Sequence, residues 1–345
     1  MTDRARDVLA ASNGMRLAIV VPVYDDWESF LALVPMLDRA LVGIVSKVTI
    51  LAVDDGSTNV IDGAAIARLG PLGVIESVEL LHLITNVGHQ RAIAIGLAAA
   101  VSSGGYSHVL VMDSDGEDRP EEAVRLVDCN LHDDAGRAGL VYVAQRHRRS
   151  EGIAFRLYYA MYKLLFRFLS GQTIDFGNFS LLPISAVRKL IHTPETWNHF
   201  AASLVKARIP LRRIPTSRGT RIAGRSSMNL VMLVTLGLSA ISVYSEAVFV
   251  RMLLTSIVLS MAAALGLAGV VAIRIFTNFA IPGWATTAGG ILGIILVQAL
   301  TLSMIASFLA LSARSGVLTV PASDAERFIE RRKVIAVGAP EVHVG

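Results

Sequence analysis

The stretch Val109-Leu110-Val111-Met112-Asp113-Ser114-Asp115-Gly116-Glu117-Asp118-Arg119-Pro120-Glu121 decides the fold. A short apolar, β-branched run ends abruptly in two carboxylates one residue apart. Such a run reads as a buried strand. Asp113 and Asp115 flank Ser114, so a chain leaving that strand carries both carboxylates on the same side.

Three other runs have the same form. Leu17–Val23 (LAIVVPV) leads to Asp25-Asp26, Val48–Val53 (VTILAV) to Asp54-Asp55-Gly56-Ser57, and Leu140–Ala144 (LVYVA) to Gln145-Arg146. Helical patterns lie between them, for example over Ala92–Val101. Strands alternating with helices predict an α/β fold with a mostly parallel sheet. Ligands of such sheets bind beyond the carboxyl ends of the strands. One acidic pair at a strand end is a common turn or helix cap. Three clusters on one sheet edge point to chemistry. Carboxylates with room for water and phosphate oxygens suit magnesium or manganese, and such an ion neutralises a diphosphate leaving group.

Composition sets the outer bounds. A chain of 345 residues allows one or two domains. It is 53% hydrophobic and only 17% charged, against about 25% charged in soluble proteins. Mean hydropathy is +0.55. A disordered chain is excluded. The single cysteine, Cys129, excludes a disulfide framework and a cysteine zinc cluster, and it fits the reducing cytosol. The pI near 9.4 accompanies a net charge of only +4. That balance does not indicate nucleic acid, and a membrane protein with basic cytoplasmic edges produces it equally.

The apolar content is concentrated late in the chain. Met252–Ile273 is a run of 22 uncharged residues between Arg251 and Arg274, long enough to cross a hydrocarbon core of about 30 Å. A second uncharged stretch runs from Phe276 to Ala313, with its usable core at Ala288–Leu311 and a turn at Asn278, Pro282 and Gly283. The 20 uncharged residues between Arg225 and Glu246 are less apolar, with Asn229, Thr235, Ser239, Ser242 and Ser245 among them. Basic residues after the last span (Arg314, Arg327, Arg331, Arg332, Lys333) place the tail in the cytoplasm. Met1–Met15 is polar and charged and reads as no signal peptide. An even number of spans follows, and the third segment lies in the membrane interface. The expected organisation is a cytoplasmic α/β domain over 1–225, an interfacial helix over 226–246, two transmembrane helices over 247–313 and a basic cytoplasmic tail over 314–345. The expected location is the inner membrane, as a multi-pass protein with its catalytic domain in the cytoplasm. Phe155–Ser170 carries Phe155, Tyr158, Tyr159, Tyr162 and Phe166 at helical spacing among Arg156, Lys163 and Arg167, which suits a membrane surface or a core-facing helix.

Val21-Pro22-Val23-Tyr24-Asp25, Val53-Asp54-Asp55-Gly56-Ser57-Thr58, Asn86-Val87-Gly88-His89-Gln90 and the Asp113–Glu121 stretch together resemble glycosyltransferase family 2 with the GT-A fold. The layout is similar to the polyprenyl-phosphate glycosyltransferases, which include dolichol-phosphate mannose synthase and the bacterial bactoprenol glucosyltransferases. The resemblance covers about residues 15–246. It implies that Pro22, Tyr24 and Asp25 line the nucleotide pocket and that Asp54 faces the base, with Asp55 and Gly56 shaping the loop. It implies that Asp115 ligates a metal and that Asp113 lies near ribose and metal. Glu117 stands where Gln is usual, as a third metal ligand or as a repulsive charge beside the diphosphate. His89 stands where Lys is common. Arg146 and Arg221 match basic residues that contact phosphate, the latter in an R-x-x-G-x-S segment with Gly224 and Ser226. Asp113, Asp115, Arg146 and Arg221 are the catalytic candidates.

The implied activity is transfer of a sugar from a nucleotide-diphosphate donor to a polyprenyl phosphate on the cytoplasmic leaflet, assisted by Mg or Mn. None of Trp27, Trp197 and Trp284 follows an Arg, which disfavours the processive Gln-x-x-Arg-Trp type. A phosphate oxygen is already anionic and needs no general base, whereas a hydroxyl acceptor does. Glu195 stands as the base candidate for that alternative, with the nearby His199 read as a structural residue, and a non-catalytic membrane module retaining the fold is a third. Self-association is left open.

Overall fold

Arg16–Val23 forms β1, buried at every residue but the first. In the computed structural model, which describes residues 14–133, 139–146, 163–224, 230–277, 283–315 and 319–337, the next elements are α1 (Trp27–Leu41), β2 (Lys47–Asp54), α2 (Gly63–Ala67), β3 (Ile75–Leu83), α3 (His89–Ser103), β4 (His108–Val111), α4 (Pro120–Leu131) and β5 (Val141–Arg146). After a helical stretch over 163–170, here α5, come β6 (Ser180–Pro183), α6 (Ile184–Ile191), a 3-10 turn at Pro194–Trp197, α7 (Phe200–Lys206), β7 (Leu211–Thr216) and α8 (Leu230–Ser242). The chain continues through α9 (Ser245–Phe276) and α10 (Trp284–Ser315) to β8 (Ile329–Val337).

The eight strands form one sheet in the order β7-β5-β6-β4-β1-β2-β3-β8. β4, β1, β2 and β3 run parallel. β6 is antiparallel to both β4 and β5, and β7 is parallel to β5. The order reverses direction at β1 and β4, so the crevice of the sheet opens between their carboxyl ends. The four strands read from sequence are present. β6 and β7 lie in segments whose apolar runs are too short to announce a strand.

Two apolar layers sandwich the sheet. On one face α3 buries every residue from Ala92 to Ala100. Gly96 makes this approach possible, because a Cβ there would meet Val20 and lie 2.9 Å from Val53 Cγ2. On the other face Phe30, Leu33, Leu37 and Leu41 of α1 pack with Ala123, Leu126 and Val127 of α4.

The sequence reading leaves 314–345 as a tail. Ile329–Val337 instead completes the sheet as β8, antiparallel to β3 from Ser77↔Val337 to Leu83↔Ile329. Ile335 and Ala336 pack against the core, while Glu330, Arg331, Arg332 and Lys333 interrupt the apolar pattern. Charges of this kind are the usual protection of an exposed edge strand, and they hide the strand from a hydropathy reading.

The chain divides into two compact units, one of residues 1–152, 174–243 and 318–345 that contains the sheet, and one of residues 153–173 and 244–317. In the second unit α9 and α10 pack antiparallel. Ser256 and Ser303 share a hydroxyl hydrogen bond of 2.6 Å, and Leu292 would be 3.3 Å from a Cβ placed on Gly266. Small buried residues (Ala263, Ala299, Ala306) bring the helices close. Both are long and apolar enough to cross a membrane, and they contain the two spans expected from sequence. Phe166 of α5 is buried edge-on against Tyr244, with ring centroids 6.1 Å apart. The aromatic and basic residues expected at Phe155, Arg156, Tyr158, Tyr159 and Tyr162 lie outside the described residues.

Candidate active site

An acidic pair stands at the carboxyl end of each of β1, β2 and β4. After β1, Asp25 adopts a left-handed backbone (φ 51°), which Asp tolerates better than most residues. Its carboxylate accepts from the Asn59 amide at 2.8 Å and from Thr58 Oγ1 at 2.8 Å. The Asn59 hydrogen bond, aided by Thr58 and only partly opposed by desolvation, holds Asp25 below the usual carboxylate range.

After β2, Asp54 is buried and accepts from the Ser57 amide at 2.9 Å, with His82 Nδ1 2.8 Å from its other oxygen. Asp55 is also buried and accepts from the amides of Val87 (2.7 Å) and Gly88 (3.0 Å). Burial raises the Asp55 pKa against those two bonds. Strand register places Val23, Asp54, His82 and Arg331 side by side across β1, β2, β3 and β8.

After β4 the chain turns tightly. The Asp113 amide donates to the buried Asp118 carboxylate at 3.0 Å. His89 Nε2, at the start of α3, lies 3.3 Å from Asp113 Oδ1. Desolvation lowers the His89 pKa, but Asp113, Asp55 and Asp118 outweigh it and the net shift is upward. Asp115 accepts from the Glu117 amide at 2.9 Å and from Arg221 Nη1 at 3.3 Å. Burial raises the Asp115 pKa, with Arg221 opposing. Arg221 also donates through Nη2 to Asp26 Oδ2 at 2.7 Å and through Nε to the Ala223 carbonyl at 2.9 Å.

The fold therefore gathers Asp26, Asp113, Asp115 and Arg221 at the crevice. Asp25, Asp54 and Asp55 stand at the neighbouring strand ends, where their carboxylates hold loops. Pro22 is buried in β1 and Tyr24 is exposed at its end. The Glu117 carboxylate is engaged by Arg218. The backbone of Arg146 closes β5; its side chain, like residues 225–229, lies outside the description. Glu195 pairs with Lys206 Nζ at 2.6 Å, and His199 caps α7 by accepting from the Ala202 amide at 3.2 Å. His82, Asp118 and Arg218 are additions that the sequence reading did not assign. Asp118 stood in the decisive stretch, whereas no spacing singled out His82 or Arg218.

Among the described residues no three His, Cys, Asp or Glu side chains converge as a metal cage. Magnesium is commonly held by one or two carboxylates together with substrate phosphates. The pair Asp113 and Asp115 fits an ion that arrives with a diphosphate.

The family profile described as "Glycosyl transferase family 2" matches residues 18–190, from β1 through α6. The chain belongs to glycosyl transferase family 2. The "Uncharacterized glycosyltransferase YkcC" of Bacillus subtilis (strain 168) is 25% identical over 288 residues, which is 80% of this chain and 82% of that protein. Among solved structures, glucosyl-3-phosphoglycerate synthase from Mycobacterium tuberculosis, crystallised with Mn2+, UDP-glucose and phosphoglyceric acid, is 17% identical with a TM-score of 0.47, over 71% of this chain and 82% of that one. Mannosyl-3-phosphoglycerate synthase from Rubrobacter xylanophilus is 15% identical with a TM-score of 0.46, over 81% of each chain. This family 2 glycosyltransferase has its Asp113-Ser114-Asp115 turn inside the matched region, while Arg221 and both long apolar helices lie after it.

Proposed function

We propose that this glycosyltransferase moves a sugar from a nucleotide-diphosphate sugar to a polyprenyl phosphate at the cytoplasmic leaflet, one sugar at a time. The observation that carries the reading is Arg221. A guanidinium sits on the carboxylates of the crevice, in a segment that leads directly into the uncharged helix α8. A lipid phosphate reaching that region keeps its chain in the bilayer.

Asp115 and Asp113 would hold the divalent ion. When bound, that ion supplies charge neutralisation to the departing diphosphate. The remaining work belongs to the chain. Asp54 and Asp25 brace the loops that the nucleotide contacts. Arg221 presents positive charge toward phosphate oxygens with a planar fork, and His89 offers a ring nitrogen beside Asp113 as a further hydrogen-bonding group. The acceptor oxygen attacks the anomeric carbon, and the carbon–oxygen bond to the nucleotide diphosphate breaks. An anionic acceptor carries no proton to remove, so positioning and electrostatics suffice. Glu195, the base candidate for a hydroxyl acceptor, is committed to Lys206, which supports the phosphate.

The helices support membrane anchorage. α8 has 13 residues, about 20 Å of helix, too short to cross about 30 Å of hydrocarbon. It is proposed as the interfacial helix, with Met232, Val234 and Leu238 exposed. α9 and α10 would be the two spans. β8 pairs within the same sheet as β1, which supports an even number of crossings with the sheet domain and the chain after α10 on one side of the membrane.

The test is transfer of labelled sugar from UDP- and GDP-sugars in vesicles that contain undecaprenyl phosphate, with Mg2+ or Mn2+. Label extracted into the lipid phase is the expected result. Transfer to a saccharide hydroxyl with none to the lipid phosphate would replace this reading.

A further inference from the structure

The segment Ser217–Gly224 is strapped across the Asp113–Glu117 turn. The Ser217 amide donates to Glu122 Oε1 at 2.9 Å, the Gly219 amide to the Glu117 carbonyl at 2.8 Å, and the Ile222 amide to the Asp115 carbonyl at 2.9 Å. Arg218 pairs with the Glu117 carboxylate. Ile222 lies directly over Gly116, where a Cβ would come within 2.5 Å of Ile222 Cγ1. Gly116 has φ 82°, so its lack of a side chain serves both the turn and the close approach. At the centre of the strap, Arg221 bridges Asp26 and Asp115 and ties itself to the Ala223 carbonyl.

We propose that Arg221 occupies the cation's place at Asp115 in the unliganded enzyme, and that cation entry displaces it and unfastens the strap. This rests on the proposed role of Asp115 as a cation ligand. The physical reason is charge. Partly buried carboxylates left without a counter-ion are costly, and in the unliganded state the guanidinium supplies that counter-charge. Asp115 Oδ2 cannot sit against a metal and a guanidinium nitrogen at once without the two cations repelling each other. The arriving ion and Arg221 therefore compete for one oxygen. Once displaced, the guanidinium keeps its shorter contact to Asp26 as a tether and turns a free N–H edge toward the crevice. That edge can then grip a phosphate. Loading is consequently ordered: the cation comes first, and the phosphate that needs Arg221 comes after. Gly219 and Ile222 donate to backbone carbonyls of the turn that carries the carboxylates, so unfastening the strap frees both amides.

The experiment measures Mn2+ binding to the full-length protein in detergent by electron paramagnetic resonance, with no nucleotide, for wild type, Arg221→Met and Arg221→Lys. Removing the competing charge should tighten Mn2+ binding about tenfold or more in the Met variant, with the Lys variant staying near wild type. Amide hydrogen exchange on the wild type gives a second readout that needs no variant: Gly219 and Ile222 should exchange faster when Mn2+ is added. Equal Mn2+ affinity in wild type and Arg221→Met, or unchanged exchange at both amides with Mn2+ bound, would overturn the displacement. Failure of every form to bind Mn2+, even with a nucleoside diphosphate present, would overturn the cation role of Asp115 and this inference with it.

Discussion

His82 Nδ1 lies 2.8 Å from Asp54 Oδ2, and the two residues are direct partners in the β2–β3 register. With the Ser57 amide on the other oxygen, the buried Asp54 carboxylate is held from both sides at the end of β2. His82→Leu removes the imidazole and leaves that carboxylate short of a partner, a loss of about 1–3 kcal/mol of stability. His82→Gln, which retains a donor, should recover part of it. Chemical denaturation checks the cost, and nucleoside-diphosphate titration should show weaker binding in the Leu variant. Wild-type stability in His82→Leu would mean that the contact contributes nothing.

Asp115→Ala should abolish sugar transfer while leaving the protein folded and in the membrane. Loss of Asp115 also frees Arg221 from one of its two carboxylates, so the melting temperature should move by only a few degrees, as for a change of about 1 kcal/mol. Turnover that persists without divalent ion in both wild type and mutant would remove the metal from the mechanism.

Gly96→Ala tests the seat of α3 on the sheet. The added methyl meets Val20 and Val53, whose side chains are fully buried. Overpacking of this kind costs about 1–3 kcal/mol, and Gly96→Val should cost more. Thermal melts in detergent measure it, and an Ala variant as stable as wild type would show that the layers can separate without penalty.

Stability should fall in mild acid. Burial pushes His199 down to about 4, below its ordinary value of 6.5. The unfolded chain therefore takes up a proton before the folded one does. The stability tied to neutral His199 is present above about pH 6.5 and is lost as pH falls toward 4, up to roughly 3 kcal/mol. The local cause is visible, since Nδ1 must stay unprotonated to accept from the Ala202 amide. His108, also pushed down to about 4 by burial, acts in the same direction. His199→Asn keeps a capping acceptor without the titration. Its melting temperature should depend less on pH than wild type between 6.5 and 4, and an unchanged slope would assign the effect elsewhere.

Reporter fusions at Asp3 and Gly345 should both read cytoplasmic. Opposite readings would mean an odd number of crossings and would turn α8 from an interfacial helix into part of a third span.

Much of the sheet was legible because its strands are buried on both faces and read as unbroken apolar runs ending in aspartates. β8 was not legible, because Arg331, Arg332 and Lys333 protect its open edge and resemble a membrane flank. The acidic half of the site could be read from three strand-end motifs. The partners of those acids could not. His82 lies inside a strand that mixes apolar and polar residues, and Arg218 lies 101 residues beyond the Glu117 it binds. Arg221 was recognised by its motif, but nothing in the linear order shows that it spans Asp26 and Asp115. Such pairings are set by how the chain returns across the sheet.

The return of β8 to the sheet also bears on how this chain is made. The last strand emerges from the ribosome only after α9 and α10 have been synthesised, while its partner β3 has long been complete. Until then the outer edge of β3 stays open, with its backbone amides and carbonyls free to recruit another strand. Closing the sheet thus waits on synthesis of the helical pair. A ribosome stalled or a chain trimmed between Ser315 and Ile329 would leave a nearly finished enzyme with one sticky margin, so premature truncation products should aggregate or be cleared rather than accumulate as soluble catalytic domains.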